Sequence, residues 1–417
     1  MKSNIKILLA HPGQQHSFRV AKVLKENGLL FKYATTVYNK ENSVFMKFAR
    51  LFLKGNTLKR ANNRKCEALN NTDVILFNEF SGYLLLLIIR LVNNRKVYVW
   101  LNDRIKNSFG TKVANYAIKN NVDVVICYDT SAEKCFEILM HKAPQIIRIM
   151  DNAAVARNFL YKIFEINKVV NKDFVKTYDS FDYLIDLKKS EKFTNELKMA
   201  HFHIVASNFA KRALLFNNVL NDKIILVPYG VDTEKFKPSK RKDSNSLNIL
   251  YVGAFDQRKG IAQILNAAKE INKKDIIFNL VGGNVNKHND LFIPFNQFVN
   301  FKGSVPSSII NSIYAENDVF IFPSIGDGFG LVILEAMASG LPVIASRNCA
   351  GPDIIQDGYN GFLIDEGDCK SLKERILWFY DNPSMLQDMS KKDCVEFYLG
   401  ELREKIIRRL KQNNSFT

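Results

Sequence analysis

Two carboxylates, Asp327 and Glu335, lie eight residues apart around a glycine-rich turn. Gly328 and Gly330 follow Asp327, and glycine lets a ligand approach the backbone closely. The free N–H groups of the helix that starts there favour a phosphate, and the helix dipole adds to this preference. Asp327 lies at the mouth of the loop and Glu335 about two turns deeper. This arrangement suits a phosphate flanked by the hydroxyl groups of a sugar and of a ribose.

The same spacing also has a purely structural interpretation. Asp327 would cap the helix with its side-chain oxygen, and Glu335 would be a tethered, half-buried acid. Because helix caps are common, the spacing alone leaves both interpretations open.

The elements around this turn form a strand–loop–helix–strand unit. The apolar run at 319–322 predicts a buried parallel strand that ends at Pro323. Good helix formers predict a helix over 331–339, and Pro342 follows its end. Residues 342–346 start the next strand. Together these elements predict one βαβ unit of a doubly wound sheet.

A second candidate ligand loop follows the first strand of the chain, IKILLA. Gly13 lies in this loop, and a glycine after the first strand of a Rossmann-like domain can face a ligand in the cleft. Ser17 is the predicted cap of a helix at 18–27. His11 and His16 in the same loop are either functional or ordinary loop histidines.

Strands and helices alternate along the chain, which indicates parallel sheets. The first half predicts strands at 74–77, 97–101, 122–127, 146–150, 203–206 and 224–227, and helices at 82–92, 111–120, 131–141 and 208–216. After a polar run, the pattern restarts with strands at 247–252, 276–281 and 298–302. The sequence predicts an α/β protein of two Rossmann-like domains, 1–230 and 231–395, facing each other across a cleft. A C-terminal helix, 396–417, is a candidate to pack back on the first domain.

The composition of the chain limits the kinds of binding partner and the cellular compartment that are expected. A formal charge of +17 on 417 residues indicates an anionic partner, either nucleic acid or an anionic membrane surface. No zinc finger, RNA-recognition pattern or helix-turn-helix spacing is present, so no nucleic-acid partner is predicted. The six cysteines form no C-x-x-C pair, which favours a reducing compartment. The short first apolar run is no signal peptide, and the run at 83–92 is about half the length of a membrane span.

The candidate membrane contact is a segment without acids, 44–65. In a helix, one face of this segment would carry aromatic residues and another would carry cations. The aromatic residues are Phe45, Phe48 and Phe52, and the cations are Lys47, Arg50 and Lys54. Such a helix would lie on anionic lipid. A core-facing helix with a solvated basic face is the alternative, and the overall basic charge tips the balance toward the membrane.

The run DGFGLVILEAMASGLPVIAS, from Asp327 onward, resembles the carboxylate-x7-carboxylate signature of the family 4 retaining glycosyltransferases. PYGVD, the Lys259-Gly260 loop, LVGG and GPDIIQDGYNGFLI resemble further landmarks of that family in the same order. The resemblance covers most of the chain and is strongest over 247–368. It implies the GT-B fold and an enzyme of the bacterial cell-envelope polysaccharide type. The implied reaction is sugar transfer from a nucleotide-diphosphate donor to a hydroxyl group, with retention.

The resemblance also implies roles for single residues. Lys259 would bind the donor diphosphate. Arg258 would supply the second charge, because the family's arginine five positions before Lys259 is Ala254 here. Asp327, where the family usually has Glu, would orient the donor sugar, and Glu335 would hold the ribose.

The amides of Phe329, Gly330 and Leu331 would face the diphosphate, and Gly13 and Gly328 would contact the donor. The alternative for Arg258 and Lys259 is an exposed basic turn, but two cations beside a glycine favour a diphosphate. Asp151 ends a strand where the family has a cleft histidine, and its alternative role is a helix cap.

The expected partners follow from the same resemblance. The acceptor would be a lipid-linked or cell-envelope glycan, and no cofactor or metal is expected. The expected location is the cytoplasm, on the inner face of the membrane. A non-catalytic GT-B subunit that binds nucleotide sugar beside an active transferase is the alternative, since Asp327, Ala254 and the missing histidine depart from the family pattern.

Overall fold

The structure of the protein is a computed structural model that describes residues 5–14, 16–40, 43, 62, 64–91, 95–177, 187–238, 246–283, 289–306 and 308–391. The predicted membrane-contact residues and the predicted helix 396–417 lie outside these ranges.

The first half of the chain forms a parallel sheet of seven strands in the order β3-β2-β1-β4-β5-β6-β7. The strands are β1 Ile7–Ala10, β2 Leu30–Thr35, β3 Val74–Leu76, β4 Val124–Tyr128, β5 Ile147–Asp151, β6 Phe202–Val205 and β7 Ile224–Leu226. Its helices are α1 Ser17–Glu26, α2 Glu79–Leu91, α3 Arg95–Lys119, α4 Glu133–Lys142, α5 Arg157–Val170, α6 Leu187–Met199 and α7 Asn208–Phe216.

The second half forms a parallel sheet of six strands in the order β10-β9-β8-β11-β12-β13. The strands are β8 Leu247–Val252, β9 Ile276–Val281, β10 Asn300–Gly303, β11 Val319–Phe322, β12 Val343–Ser346 and β13 Gly361–Ile364. Its helices are α8 Ile261–Ile271, α9 Asn289–Phe292, α10 Ile310–Ala315, α11 Leu331–Ala338, α12 Gly351–Ile354, α13 Cys369–Asp381 and α14 Ser384–Lys391. The predicted pair of Rossmann-like domains is confirmed.

Both sheets are covered by apolar packing on their two faces. In β1, Ile7 and Leu9 pack into one cluster while Leu8 and Ala10 pack into another, as the alternation of side chains along a strand requires. The same division separates neighbouring residues of β11. Continuous apolar runs such as ILLA and VFIF are therefore needed in these strands, because parallel strands are buried on both faces.

The predicted strand at 97–101 is wrong, because these residues lie inside the long helix α3. β-branched and aromatic residues favour a strand there, but tertiary packing overrides that preference. Ile105, Phe109, Val113 and Ala117 recur every four residues and are all buried, so they place one face of α3 in the core. The prediction also missed β2, which is the neighbour of β1.

Ser17 was predicted to cap α1, but it is the first residue of this helix. Its hydroxyl donates to the carbonyl oxygen of Gln14 at 2.6 Å and lies 2.8 Å from the Tyr33 hydroxyl. His16 precedes the helix and makes no side-chain capping bond. This frees the His16 ring for contacts outside α1.

The change of sheet falls between the end of β7 at Leu226 and the start of β8 at Leu247. That interval contains the predicted boundary at 230/231. Across the described ranges, no helix combines the length and the apolar character that a membrane span requires.

Candidate functional site

A short 3-10 turn after β8 presents the two predicted diphosphate cations. The Asp256 carboxylate accepts the Lys259 backbone N–H at 3.0 Å, which closes the turn Gln257–Lys259. Gly260 then adopts a left-handed φ of 76°, and a Cβ atom there would overlap the carbonyl oxygen of Pro323. The Arg258 carbonyl oxygen accepts the Ile325 N–H at 2.9 Å. The turn is therefore fixed against the loop that follows β11.

Asp327 joins both cations. Its Oδ2 atom lies 3.1 Å from Arg258 Nη1 and also pairs with Lys259 Nζ. The three side chains are only 15–17% exposed. Lys259 Nζ also lies 4.9 Å from the centre of the Phe322 ring. Burial, and then the charge of Arg258, lower the pKa of Lys259 from its ordinary value. The charge of Asp256 opposes this lowering, and Asp327 is the carboxylate in direct contact with the ammonium.

Asp327 does not cap α11, because Gly330 is the residue that precedes this helix. The Asp327 Oδ1 atom instead accepts the backbone N–H of Phe329 at 3.1 Å. Gly330 has a φ of 85°, and no side chain caps α11. The structural role of Asp327 is therefore not a helix cap: its side chain closes a tight turn at Phe329 and pairs with the cations of the turn after β8.

Glu335 lies half-buried on α11. Its Oε2 atom accepts a hydrogen bond from the Tyr314 hydroxyl at 3.1 Å. Burial raises the pKa of Glu335, against the opposing effects of Tyr314 and of the cations Lys235 and Arg19. Arg19 comes from the first domain, so the environment of Glu335 depends on both domains.

The loop before α11 packs directly on the first domain. The Ser207 hydroxyl donates to the Gly328 carbonyl oxygen at 2.5 Å, and Ser207 also caps α7 through the Ala210 N–H. A Cβ atom on Gly328 would lie 3.2 Å from the carbonyl oxygen of Ala153. Gly328 therefore has close backbone neighbours from the opposite domain.

In the first domain, Gly13 lies against His11. The Gly13 N–H donates to His11 Nδ1 at 2.7 Å, and a Cβ atom on Gly13 would lie 3.1 Å from the His11 ring. Burial lowers the pKa of His11 to about 4, so the ring is neutral near pH 7. Because Nδ1 accepts, the ring proton is assigned to Nε2.

Asp151, at the end of β5, pairs with His16 at 3.0 Å. The Tyr229 hydroxyl lies 3.3 Å from both ring nitrogens of His16. Burial alone would lower the pKa of His16, but the charge and hydrogen bond of Asp151 outweigh it and raise the pKa. Asp151 and the nearby Asp129 are buried, and burial followed by the Asp151 charge raises the pKa of Asp129 to about 6.

A series of ring contacts joins the two halves of the site. The ring of His16 lies 5.0 Å from Tyr128 and 4.9 Å from Tyr229. Tyr229 in turn lies 5.0 Å from the ring of Phe329, beside Asp327. Tyr229 belongs to the PYGVD landmark, yet the sequence alone gave it no role. Tyr229 and His16 are far apart in the sequence, so their contact could not be predicted before the fold was known.

A segment of the first half also supports the cationic turn. Thr177 Oγ1 accepts the Gln257 backbone N–H at 2.9 Å, and Gln257 Nε2 donates to Asn167 at 2.9 Å. Thr177 and Gln257 are buried, and Phe174 from the same segment packs in the core of the second domain. The residue before Arg258 is thereby held by a segment that follows β5.

Removing the Thr177 hydroxyl should weaken this support. Thr177→Val leaves the buried Gln257 N–H without its acceptor, which should cost about 1–3 kcal/mol of unfolding free energy. Urea unfolding measures this loss, and Thr177→Ser, which keeps the hydroxyl, should retain most of the stability. Thr111→Val, at a partly exposed position of α3 where the hydroxyl donates to the Asn107 carbonyl oxygen, is the matched control. Equal stability of the Val and Ser variants at position 177 would show that this bond does not hold the turn.

No three His, Cys, Asp or Glu side chains are grouped as a metal site needs, within the ranges that the structure covers. That the protein needs no metal for its function stays a prediction from the sequence.

The whole chain resembles solved glycosyltransferase structures. Sucrose-phosphate synthase from Thermosynechococcus elongatus superposes with a TM-score of 0.69 at 17% identity, over 99% of this chain and 100% of that one. The two facing Rossmann-like domains of the protein are the GT-B fold.

Residues 232–393 match the model of the family Glycosyl transferases group 1, and this match, with relatives named as glycosyltransferases, supports a transferase enzyme. An uncharacterized 41.2 kDa protein in the cps region of Klebsiella pneumoniae is 28% identical over 259 residues, covering 57% of this chain and 70% of the relative. The Escherichia coli UDP-Gal:alpha-D-GlcNAc-diphosphoundecaprenol alpha-1,3-galactosyltransferase is 30% identical over 186 residues, covering 40% of this chain and 48% of the relative.

Proposed function

We propose that the protein transfers a sugar, with retention of anomeric configuration, from a nucleotide-diphosphate donor to a hydroxyl group of a lipid-linked or cell-envelope glycan. The observation that carries this proposal is the pair Arg258 and Lys259, fixed on one turn and balanced by Asp327. Two cations at one point suit a diphosphate, which carries more negative charge than a single carboxylate.

The diphosphate would take the place of the Asp327 carboxylate on these two cations. Asp327 would then be released toward the donor sugar, while Glu335 accepts hydrogen bonds from the ribose. Through this exchange the two cations have an anionic partner both without the donor, when it is Asp327, and with the donor bound, when it is the diphosphate. The N–H groups of Gly330 and Leu331, at the start of α11, would add to the positive potential.

The chemistry requires one bond to break and one to form. The bond between the sugar's anomeric carbon and the diphosphate oxygen breaks, and the bonding electrons leave with the diphosphate. The acceptor oxygen bonds to the anomeric carbon on the same face, and its proton passes to the departing diphosphate. Arg258 and Lys259 would stabilise the charge that develops on this leaving group.

The acceptor class rests on the relatives. One relative is encoded in a cps region, and the name of another specifies a UDP-sugar donor and a diphosphoundecaprenol-linked acceptor. A UDP-sugar and a lipid-linked glycan are therefore the first pair of substrates to test here. Cytoplasmic location and contact with an anionic membrane through Phe45, Phe48, Phe52 and their neighbouring cations stay predictions from the sequence.

A screen of nucleotide sugars tests the donor. A bound nucleotide should raise the melting temperature, since at a hundredfold excess over Kd it adds about 2.7 kcal/mol of stability. The screen covers UDP, GDP, dTDP and ADP sugars against the wild type, and Lys269→Met, an exposed lysine on α8, is the control. If none of these sugars shifts the transition, the donor proposal fails. Binding without turnover on any glycan acceptor would instead favour the non-catalytic subunit.

A further inference from the structure

The first domain contains a cavity of about 240 Å³ whose lining includes none of Lys259, Asp327 and Glu335. It lies at the carboxyl ends of β1, β2 and β4, below helices α2 and α3. Residues from all five elements or their adjoining loops line it, among them His11, Thr36, Leu85, Lys106 and Thr130. The carboxyl ends of parallel strands are where α/β domains bind ligands.

Among the residues that the structure describes, the walls of this cavity carry positive and neutral polar groups but no acid. Of the described residues that line it, Arg64 and Lys106 are cations, and none is Asp or Glu. The rest of the lining includes the apolar side chains Leu85, Leu86 and Ile105. The cavity therefore combines polar with apolar lining, and its cations suit an anion.

Lys106 is the central cation of this cavity. It is partly buried on α3, and its Nζ atom donates to Thr130 Oγ1 at 3.2 Å. No carboxylate of the described chain lies within ion-pair distance of it, although Asp103, Asp129 and Glu196 act on it from farther away. An ammonium has three N–H donors, so Lys106 can bind a further acceptor group.

His11 adds a neutral donor to the same cavity. Its Nδ1 atom is occupied by the Gly13 N–H, which leaves Nε2 as the protonated nitrogen. Its ring lies 4.7 Å from Tyr128, which contacts His16 in the cleft. The cavity and the donor site thus share the loop that contains Gly13.

We propose that this cavity binds the acceptor through an anionic group, a phosphate or a carboxylate close to the hydroxyl that receives the sugar, with Lys106 as its principal contact. The inference rests on the proposed transferase function and specifies its acceptor. A phosphate would come from a lipid diphosphate linkage, and a carboxylate from an acidic sugar. Both offer oxygens that suit an ammonium and a ring N–H.

Binding of small probes to the full chain tests this assignment. Glucose 1-phosphate and glucuronic acid represent the two anions, and glucose is the neutral reference, each titrated by NMR. We expect one charged probe to bind the wild type, with glucose much weaker. Lys106→Met should weaken that probe by about 10- to 100-fold, as the loss of a hydrogen bond to a charged group requires. Lys106→Arg keeps the charge and should retain binding.

Two control variants locate the anion. Lys112→Met changes an exposed lysine on the same helix and should have no effect. Lys259→Met removes a donor-site cation and should leave the charged probe bound. If Lys259→Met abolishes binding and Lys106→Met does not, the anion lies at the donor turn and the inference is wrong.

Equal binding of glucose, or no binding of either charged probe, would overturn the inference as well. These outcomes are separate from the donor proposal, because the nucleotide screen measures the second domain. A nucleotide shift that persists in Lys106→Met would leave that proposal intact. If no nucleotide sugar raises the melting temperature of the wild type, the donor proposal is contradicted. The probe titration would still decide whether the cavity binds an anion.

Discussion

Lys259→Met is expected to lower kcat by about 100- to 1,000-fold, the range for removal of one group that stabilises developing charge in a transition state. The ammonium lies on the turn that presents Arg258, and both contact Asp327. Methionine keeps most of the length of the side chain but carries no charge, so it also loses the contact of Nζ with Phe322. The leaving diphosphate would then depend on Arg258 alone.

The fold should survive this substitution, because Arg258 retains the Asp327 carboxylate. Steady-state kinetics with the donor from the nucleotide screen measures the effect, and thermal unfolding checks the fold. Lys269→Met provides the matched exposed control. Unchanged kcat and unchanged nucleotide affinity in Lys259→Met would return Arg258 and Lys259 to a basic turn without a role in transfer.

Asp327→Asn should lower turnover by about 100-fold, as misplacement of a substrate does when a positioning contact is lost. The variant should also be less stable by roughly 1.5–3 kcal/mol, the range for hydrogen bonds to charged groups. The structure supplies the reason for this second effect: asparagine cannot neutralise the two cations that the carboxylate now pairs. Asp327→Glu keeps the charge and should retain both activity and stability.

The competition between Asp327 and the diphosphate gives a sharper expectation. In Asp327→Asn the two cations have no carboxylate to exchange, so a nucleoside diphosphate should raise the melting temperature more than it does in the wild type. Melting curves with and without UDP measure this difference. Asp365→Asn, at a side chain 74% exposed, is the control. Full activity of Asp327→Asn would remove Asp327 from the reaction, and an unchanged nucleotide shift would contradict the exchange of anions.

Local signals in the sequence were sufficient for the unit around Asp327. The strand at 319–322 has its predicted bounds, and the helix ends at Ala338, one residue before prediction. An apolar run, a glycine turn and good helix formers act within a few residues of each other, so local physics decides them. At Val97–Leu101 the local preference was for a strand, but the buried face of α3 requires a helix.

The sequence by itself determined that two Rossmann-like units follow each other and that glycine loops with cations and carboxylates end their strands. Only the tertiary structure decided which of these groups meet. Asp151 pairs with His16, and Asp327 with Arg258, across 135 and 69 residues of chain. The strand order β1-β4-β5 and the neighbours β8 and β11 bring the loops of each pair to one sheet edge. Such contacts depend on the order of strands in the sheet, which no local pattern of residues encodes.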